Sequence, residues 1–173
     1  MGILENLNDL AKQFAAGTAP AADVHTAYDQ VARTVPQSSL VEGLTHAFSS
    51  DQTPPFAQMI SNLFNQSSPD QKAGLLNQIV ATLGPGGVSR VLAGAGGMGG
   101  LGSVLSGGGS VTPAQAQQIS PEQVQVLAQN AETKDPSIVS AAAGFYAQHP
   151  TLVKAIGAGA LALLLSRISQ ARR

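Results

Sequence analysis

Residues 111–131 read VTPAQAQQISPEQVQVLAQNA, and this stretch decides the fold class because it contains two consecutive helix starts. Thr112 and Ser120 each stand directly before a proline, as an N-cap residue does when proline occupies the first helical position. Gln115 and Gln123 follow these caps by three residues and complete a capping box in each case. The second start leads into an apolar stripe with helical spacing, formed by Val124, Leu127, Ala128 and Ala131. We therefore predict two short helices separated by a tight turn.

The same signal recurs along the chain, which contains ten prolines. Caps before proline also stand at Thr53, Ser68 and Asp135, and Gln71 completes a third capping box with Ser68. Further helix starts without a strong cap are expected at Pro20, Pro36 and Pro150. Apolar residues recur at intervals of three and four, and no run has the alternation of a β-strand. The sequence therefore predicts an all-α, compact multi-helix bundle of about seven to nine short helices.

Residues 94–109 interrupt this pattern with the sequence GAGGMGGLGSVLSGGG, which contains nine glycines and no charged residue. Flexible linkers usually combine glycine with polar residues, whereas this Gly-rich segment carries four apolar contact candidates: Met98, Leu101, Val104 and Leu105. The segment separates a predicted N-terminal helical region (residues 1–93) from a C-terminal helical region (residues 110–173). Two interpretations stay open: a flexible linker, or a segment that packs closely against a neighbouring helix or another subunit.

The glycines of this segment do not match a nucleotide site. A phosphate-binding loop needs a lysine and a serine or threonine at the start of the following helix. The only cation between residues 73 and 133 is Arg90, which precedes the glycines. A dinucleotide-binding unit needs a preceding strand, which the sequence pattern lacks. We therefore expect no nucleotide and no other cofactor.

The most apolar run of the C-terminal region is AIGAGALALLL, from Ala155 to Leu165. A membrane-spanning helix needs about 20 apolar residues, so this run is too short to cross a bilayer by itself. A helix that is apolar on all sides must be covered on all sides. It is therefore the central helix of the fold, an element buried in an oligomer, or an insert in a membrane interface. The contact residues in an oligomer would be Ile156, Leu161, Leu164 and Leu165.

Charge is distributed unevenly along the chain, although the net charge is only −1. Residues 1–135 hold five basic and ten acidic side chains, whereas residues 136–173 hold four basic side chains and no acidic one. The four basic residues are Lys154, Arg167, Arg172 and Arg173. They predict contact with an acidic partner, either the acidic body of another copy or an anionic membrane surface. A net charge near zero argues against a protein that binds nucleic acid.

Few residues of the sequence are suited to catalysis. The chain has no cysteine, which excludes a disulfide scaffold, a thiolate nucleophile and cysteine-ligated metal sites. Of the three histidines, His25 lies four residues before Asp29 and His46 four residues after Glu42, so we expect surface ion pairs on two helices. We expect His149 to close the turn before Pro150, and no HxxxH or HExxH spacing occurs. We therefore assign no catalytic residue and no metal ligand, and expect that the protein is not an enzyme.

The short helices, the Gly-rich centre and the segment at residues 111–131 together resemble small bacterial proteins of the YidB-like family, whose function is unknown. The resemblance covers roughly residues 70–131. It implies a Gly-rich middle followed by helices that start at threonine or serine before proline, and it implies no catalytic residue. The segment FYAQHPTLVKAIGAGALALLL, which begins at Phe145, departs from the pattern of that family.

The sequence predicts a protein that functions by binding to other copies of itself, to a partner or to a membrane, and not by catalysis. Glu5 and Asp9 stand where a secretory signal would carry basic residues, so we expect a cytoplasmic location, with membrane association as an alternative. The leading hypothesis is a homo-oligomer or partner-binding helical protein that uses the Gly-rich segment and the C-terminal helix as contact elements. The alternative is a peripheral membrane protein that inserts the C-terminal helix into anionic surfaces. A third interpretation is a carrier of a small apolar ligand.

Overall fold

The computed structural model describes residues 21–94 and 110–171, together with the single positions 9, 12, 13 and 102. Within these residues the structure consists of nine α-helices and one short 3-10 helix, and it contains no β-strand. This confirms the prediction of an all-α, multi-helix fold. The α-helices are α1 (Ala21–Thr34), α2 (Gln37–Phe48), α3 (Phe56–Gln66), α4 (Pro69–Gly94), α5 (Pro113–Ala116), α6 (Pro121–Lys134), α7 (Ile138–Ala147), α8 (Pro150–Val153) and α9 (Ala158–Ala171); the 3-10 helix is Lys154–Ile156.

Three helix starts have the capping boxes that the sequence predicts. In each box the backbone N–H of the cap donates to the side-chain carbonyl of the glutamine three residues later. The N···Oε1 distance is 2.9 Å at Ser68, 3.0 Å at Thr112 and 2.9 Å at Ser120. The backbone N–H of each glutamine donates back to the cap hydroxyl. Helices α4, α5 and α6 therefore begin at the predicted prolines, because both partners of each cap lie within one turn of chain.

Two other predicted helix starts are wrong. The hydroxyl of Thr53 donates to the carbonyl of Ala47 at 2.6 Å, which closes the preceding turn instead of capping a helix. Helix α3 accordingly begins at Phe56. Helix α7 begins at Ile138 rather than directly after Asp135, because the Asp135 carboxylate accepts the backbone N–H two residues later and forms a turn.

The helices form two units, and each has its own buried side chains. The first unit combines residues 1–55 with residues 143–173, and the second comprises residues 56–142. Helix α4 precedes the Gly-rich segment and packs against α5 and α6, which follow it, so helices from both sides of the segment belong to the second unit. This grouping by contact differs from the division at residues 94–109 that the sequence suggests.

In the first unit, helix α9 lies against α1 and α2. A Cβ atom on Gly43 of α2 would lie 3.1 Å from Cγ of Leu164 and 3.2 Å from its carbonyl oxygen. The lack of a side chain at Gly43 therefore allows α9 to approach α2 closely. Side chains that are at most 3% exposed form the core of this unit: Val24, Tyr28, Val31, Leu40, Leu44, Ala47, Phe48, Ala143, Tyr146, Val153, Ala160, Leu161, Leu164, Leu165 and Ile168.

In the second unit, helix α6 lies against α3 and α4. The hydroxyl of Ser61 on α3 donates to the carbonyl of Pro121 at 2.8 Å, which connects α3 to the first turn of α6. Hydrophobic burial accounts for most of the contact between these helices. Its largest contributors are at most 2% exposed: Met59, Ile60, Leu63, Phe64, Leu75, Leu76, Ile79, Leu83, Val124 and Leu127.

The C-terminal apolar run is not the single helix that the sequence predicts, because it is divided at Gly157. This glycine has a φ of 98°, a backbone conformation that side chains disfavour and glycine tolerates. The chain bends by 117° between the stretches Pro150–Ile156 and Ala158–Ile168. Helix α9 therefore begins at Ala158, inside the run that was expected to be continuous.

Candidate contact elements

Asn77 fixes the chain that follows the Gly-rich segment to helix α4. Its Oδ1 accepts the backbone N–H of Val111 at 2.7 Å, and its Nδ2 donates to the carbonyl of Val111 at 3.2 Å. Val111 is 4% exposed, and Asn77 lies half-buried in the first part of α4. The Gly-rich segment starts at Gly94, the last residue of the same helix. The chain therefore leaves the end of α4 and comes back to the same helix after the segment.

The four contact candidates of the Gly-rich segment, Met98, Leu101, Val104 and Leu105, lie outside the described residues. Their contact role stays a prediction. The structure places the flanking residues Gly94 and Ser110, both exposed, in the second unit. The segment therefore connects two elements of one unit and does not join the two units.

The structure places the four C-terminal contact candidates inside the first unit. The exposed fraction is 7% for Ile156, 0% for Leu161 and Leu164, and 2% for Leu165. The three leucines belong to α9, which packs against α1 and α2, whereas Ile156 belongs to the 3-10 helix, which α9 also contacts. Of the three alternatives for this helix, the central helix of a folded unit accounts for their burial without a second chain or a membrane.

The basic residues of the C-terminal region have different surroundings. Nζ of Lys154 lies 2.6 Å from Oδ2 of Asp29 on α1, and the two side chains are 30% and 42% exposed. Arg167 is exposed on α9, whereas Arg172 and Arg173 lie outside the described residues. Lys154, one of the four basic residues, therefore forms a salt bridge with an acidic residue of its own unit.

Acidic residues from the first 55 positions and basic residues from the C-terminal region belong to the same unit. Among the described residues, the first unit contains five acidic and four basic residues, and the second contains four acidic and three basic residues. The charge separation between residues 1–135 and 136–173 therefore disappears when charge is counted by unit. Contact between the acidic body of one copy and the basic tail of another stays a prediction.

The structure tests the ion pairs that the sequence predicts for the histidines. Asp29 pairs with Lys154 instead of His25, so the ion pair predicted from helical spacing is wrong. Among the described residues, neither His25 nor His46 forms an ion pair. The ring of His149 lies with its centroid 5.0 Å from that of Phe145, just before α8. Within the same residues no group of three or more His, Cys, Asp or Glu side chains is arranged to hold a metal ion.

Tyr28 places a polar hydroxyl on the buried face of α1, beside Val24 and Val31. Its side chain is 0% exposed, and its hydroxyl oxygen has no hydrogen-bond partner among the described residues. Burial, together with the neighbouring carboxylate of Asp29, raises the pKa of Tyr28 well above its ordinary value of 10.0. The phenol of the folded protein therefore keeps its proton at pH values at which an exposed tyrosine ionises.

No single helix in the described part of the chain is both long enough and apolar enough to cross a membrane. The bent pair formed by Pro150–Ile156 and Ala158–Ile168 reaches the length and composition of a span only when its two stretches are taken together. Most of its apolar side chains are buried in the first unit, as expected for the core helix of a folded domain.

Sequence reasoning missed Asn77, which anchors the chain after the Gly-rich segment. The available signal is a polar residue directly beside the apolar stripe that includes Leu76 and Ile79. Exposed Gln78 has the same neighbours and makes no such contact in the described structure. A polar residue beside the apolar stripe therefore does not distinguish Asn77, which binds Val111, from Gln78, which is exposed.

The protein belongs to the all-α class. It has two helical units, and the Gly-rich segment lies within the sequence of the second unit. Comparison with protein-family models, with curated proteins and with solved structures finds no match. The resemblance to the YidB-like family therefore stays a prediction that depends on residues 70–131.

Proposed function

We propose that this is a non-enzymatic protein that associates with a second copy of itself through the Gly-rich segment. The observation that carries the proposal is the pair of hydrogen bonds between Asn77 and Val111, which fixes the chain after the segment. Helix α4 holds the chain before it, so one folded unit holds both flanks. A loop with two fixed flanks loses less conformational entropy on binding than a free tether, and this favours a contact role.

The composition of the segment suits a contact between identical copies. It carries no charge, so two segments approach each other without electrostatic repulsion. Full burial of an apolar side chain such as Met98 or Leu101 contributes about 1.5–3 kcal/mol. The nine glycines allow close approach of backbones, and a two-fold contact uses the same residues on both copies. Four apolar side chains per copy are therefore a sufficient contact element for reversible association.

Replacement of the apolar residues tests this proposal. In the variant, Met98, Leu101, Val104 and Leu105 are each changed to Ser; in the matched control, Ser103 and Ser106 are changed to Ala. Sedimentation velocity measures the mass in solution, and circular dichroism checks that helix content is retained. We expect the serine variant to sediment as a 17.5 kDa monomer, while the control and the unaltered chain sediment as larger species. A serine variant that keeps the mass of the unaltered chain contradicts the proposal.

In this proposal the C-terminal helix stabilises the first unit and does not form the contact. Leu161 and Leu164 are fully buried there, so contact with another copy would first require their removal from the core. Substitutions of these residues are expected to act on the stability of the fold. A loss of association that occurs only together with a loss of helix content is not evidence of a direct contact.

A second candidate function is binding to an anionic membrane. It is favoured by the composition of the bent pair Pro150–Ile156 and Ala158–Ile168 and by the exposed cation Arg167. We rank it second because insertion must remove the buried side chains of α9 from the first unit, which opposes binding. Flotation with vesicles of anionic and of neutral lipid at low salt tests it. Recovery with anionic vesicles alone supports this function, and recovery with neither excludes it.

A further inference from the structure

Helix α4 is interrupted at Gly84, which has φ of 68° and ψ of 171°. This backbone conformation is accessible to glycine and unfavourable for residues with a Cβ. The next residue, Pro85, has no backbone N–H and cannot donate to the preceding turn. The interruption therefore leaves carbonyl groups at the end of the first part of α4 without helical donors.

Lys134, the last residue of α6, supplies a donor to one of these carbonyls. Its Nζ donates a hydrogen bond to the carbonyl oxygen of Leu83. The same Nζ lies 3.4 Å from the position of a Cβ on Gly84 and 3.8 Å from that of a Cβ on Gly87. The ammonium group therefore lies close to both Gly84 and Gly87. A cation at this end of a helix also interacts favourably with the helix dipole.

Helix α6 holds the lysine backbone in this position. Leu127, Ala128 and Ala131 are 0% exposed, and α6 packs against both α3 and α4. Leu83 itself is 2% exposed, so its part of α4 belongs to the same core. The hydrogen bond therefore joins the bend to a helix that the core keeps in place.

We propose that Lys134 acts as a latch that holds the bend in α4 and thereby fixes residues 85–94, through which the chain enters the Gly-rich segment. Without the ammonium group the Leu83 carbonyl loses its hydrogen-bond donor. Residues 85–94 then unfold locally more often. The first part of α4 stays in place, since Leu75, Leu76 and Ile79 are at most 1% exposed and hold it in the core. Residues 85–94 have fewer such contacts, because the buried side chains that the structure describes there are Val88 at 4% and Val91 at 6% exposed. The latch does not depend on what the Gly-rich segment binds.

Limited digestion of the full chain with trypsin tests the latch. Cleavage after Arg90, which is exposed in the second part of α4, requires residues 85–94 to open locally. Lys134→Met is expected to raise the initial rate of this cleavage about fivefold, while cleavage after Lys72, before the bend, keeps its rate. An unchanged rate after Arg90 overturns the proposal. Equal acceleration after Arg90 and Lys72 also overturns it, because that result shows opening of the whole unit.

Two further variants separate the latch from a general effect of charge. Lys134→Arg keeps a charged donor at the bend and is expected to restore slow cleavage after Arg90. Lys72→Met removes the ammonium group that lies 5.1 Å from the centre of the Phe64 ring in the same unit. We expect this second variant to leave cleavage after Arg90 unchanged. Fast cleavage in Lys134→Arg, or in Lys72→Met, contradicts a specific role of the Lys134 hydrogen bond.

Discussion

Gly43 lies so close to Leu164 that a Cβ on the glycine would be 3.1 Å from Cγ of the leucine. Ile168, one turn further along α9, would be 3.2 Å from the same Cβ through its Cγ1 atom. This close approach allows Leu164 and Ile168 of α9 to be buried against α2 within the first unit. A glycine on α2 supplies the space, and α9 fills it with its own leucine and isoleucine side chains.

The first prediction follows from this contact. Gly43→Ala forces Leu164 and Ile168 to move by a few tenths of an ångström, and the Leu164 contact includes a backbone carbonyl that a rotamer change cannot move away. We therefore expect the overpacking cost of about 1–3 kcal/mol to exceed the gain of about 0.5–1 kcal/mol from alanine as a helix former, and the free energy of unfolding to fall. Gly144→Ala is the matched control, because a Cβ on Gly144 of α7 meets nothing within 4 Å. Alanine is the better helix former, so the control is expected to gain about 0.5–1 kcal/mol. Urea unfolding followed by circular dichroism measures both values. Equal effects of the two substitutions contradict the close approach of α2 and α9.

The second prediction concerns the anchor at Asn77. Asn77→Ala removes both hydrogen bonds to Val111, and we expect it to lower the free energy of unfolding by about 1–3 kcal/mol. Gln78→Ala, at the exposed neighbouring position, is expected to change it by less than about 0.5 kcal/mol. Hydrogen exchange gives a local check, because the Val111 amide loses its acceptor only in the first variant. Slow exchange of Val111 in Asn77→Ala would argue against the anchor.

The third prediction concerns the buried hydroxyl of Tyr28, which has no hydrogen-bond partner in the part of the chain that the structure describes. Tyr28→Phe removes a buried polar group and keeps the ring, so we expect a gain of about 1 kcal/mol in the free energy of unfolding. The unfolded chain ionises Tyr28 near the ordinary pKa of 10.0, whereas the folded chain holds the proton to higher pH. The stability of the unaltered protein therefore falls as the pH rises above 10.0, and Tyr28→Phe reduces this fall. Thermal unfolding at neutral and alkaline pH measures both effects, and a less stable variant contradicts the prediction.

The fourth prediction concerns the capping box of α6. Ser120→Ala removes the hydroxyl that accepts the Gln123 N–H, and we expect a loss of about 1 kcal/mol. The backbone N–H of Glu122 and the Ser120 hydroxyl both hold the pKa of the Glu122 carboxyl below its ordinary value. That contribution to stability is present above pH 4.5 and is lost as the pH falls through the lowered pKa, so the variant differs less from the unaltered chain in acid.

The control for this prediction is Ser140→Ala. Ser140 is exposed in the first turn of α7, and its hydroxyl forms no capping hydrogen bond in the described structure, so its replacement by the better helix former is expected to cause no loss of stability. Urea unfolding of both variants at neutral pH and below pH 4 measures the difference. A loss in Ser120→Ala no larger than that in Ser140→Ala contradicts the role of the cap.

The parts of the fold that the sequence predicts are local. The caps at Ser68, Thr112 and Ser120 each need partners within three residues, so their geometry follows from the sequence pattern alone. Thr53 matches the same pattern, but its hydroxyl finds a carbonyl six residues earlier. The division at Gly157 is missed because the apolar pattern continues across it. Only the backbone conformation of this glycine ends one helix and begins the next.

The contacts that define the candidate site join residues that are distant in sequence. Asn77 and Val111 are 34 residues apart, and the residues of the Asp29–Lys154 pair are 125 apart. No periodicity within a helix specifies such pairs, because they depend on how separate helices pack together. The sequence instead predicts His25 as the partner of Asp29, because these two residues are four apart in one helix.

The central claim is that the Gly-rich segment joins two copies of the chain. The most direct measurement is the mass of the unaltered protein in solution, by sedimentation velocity over a wide range of concentrations. We predict a shift from 17.5 kDa at low concentration towards multiples of this mass at high concentration, and no such shift when Met98, Leu101, Val104 and Leu105 are changed to Ser. A mass of 17.5 kDa for the unaltered protein at every concentration would contradict the claim.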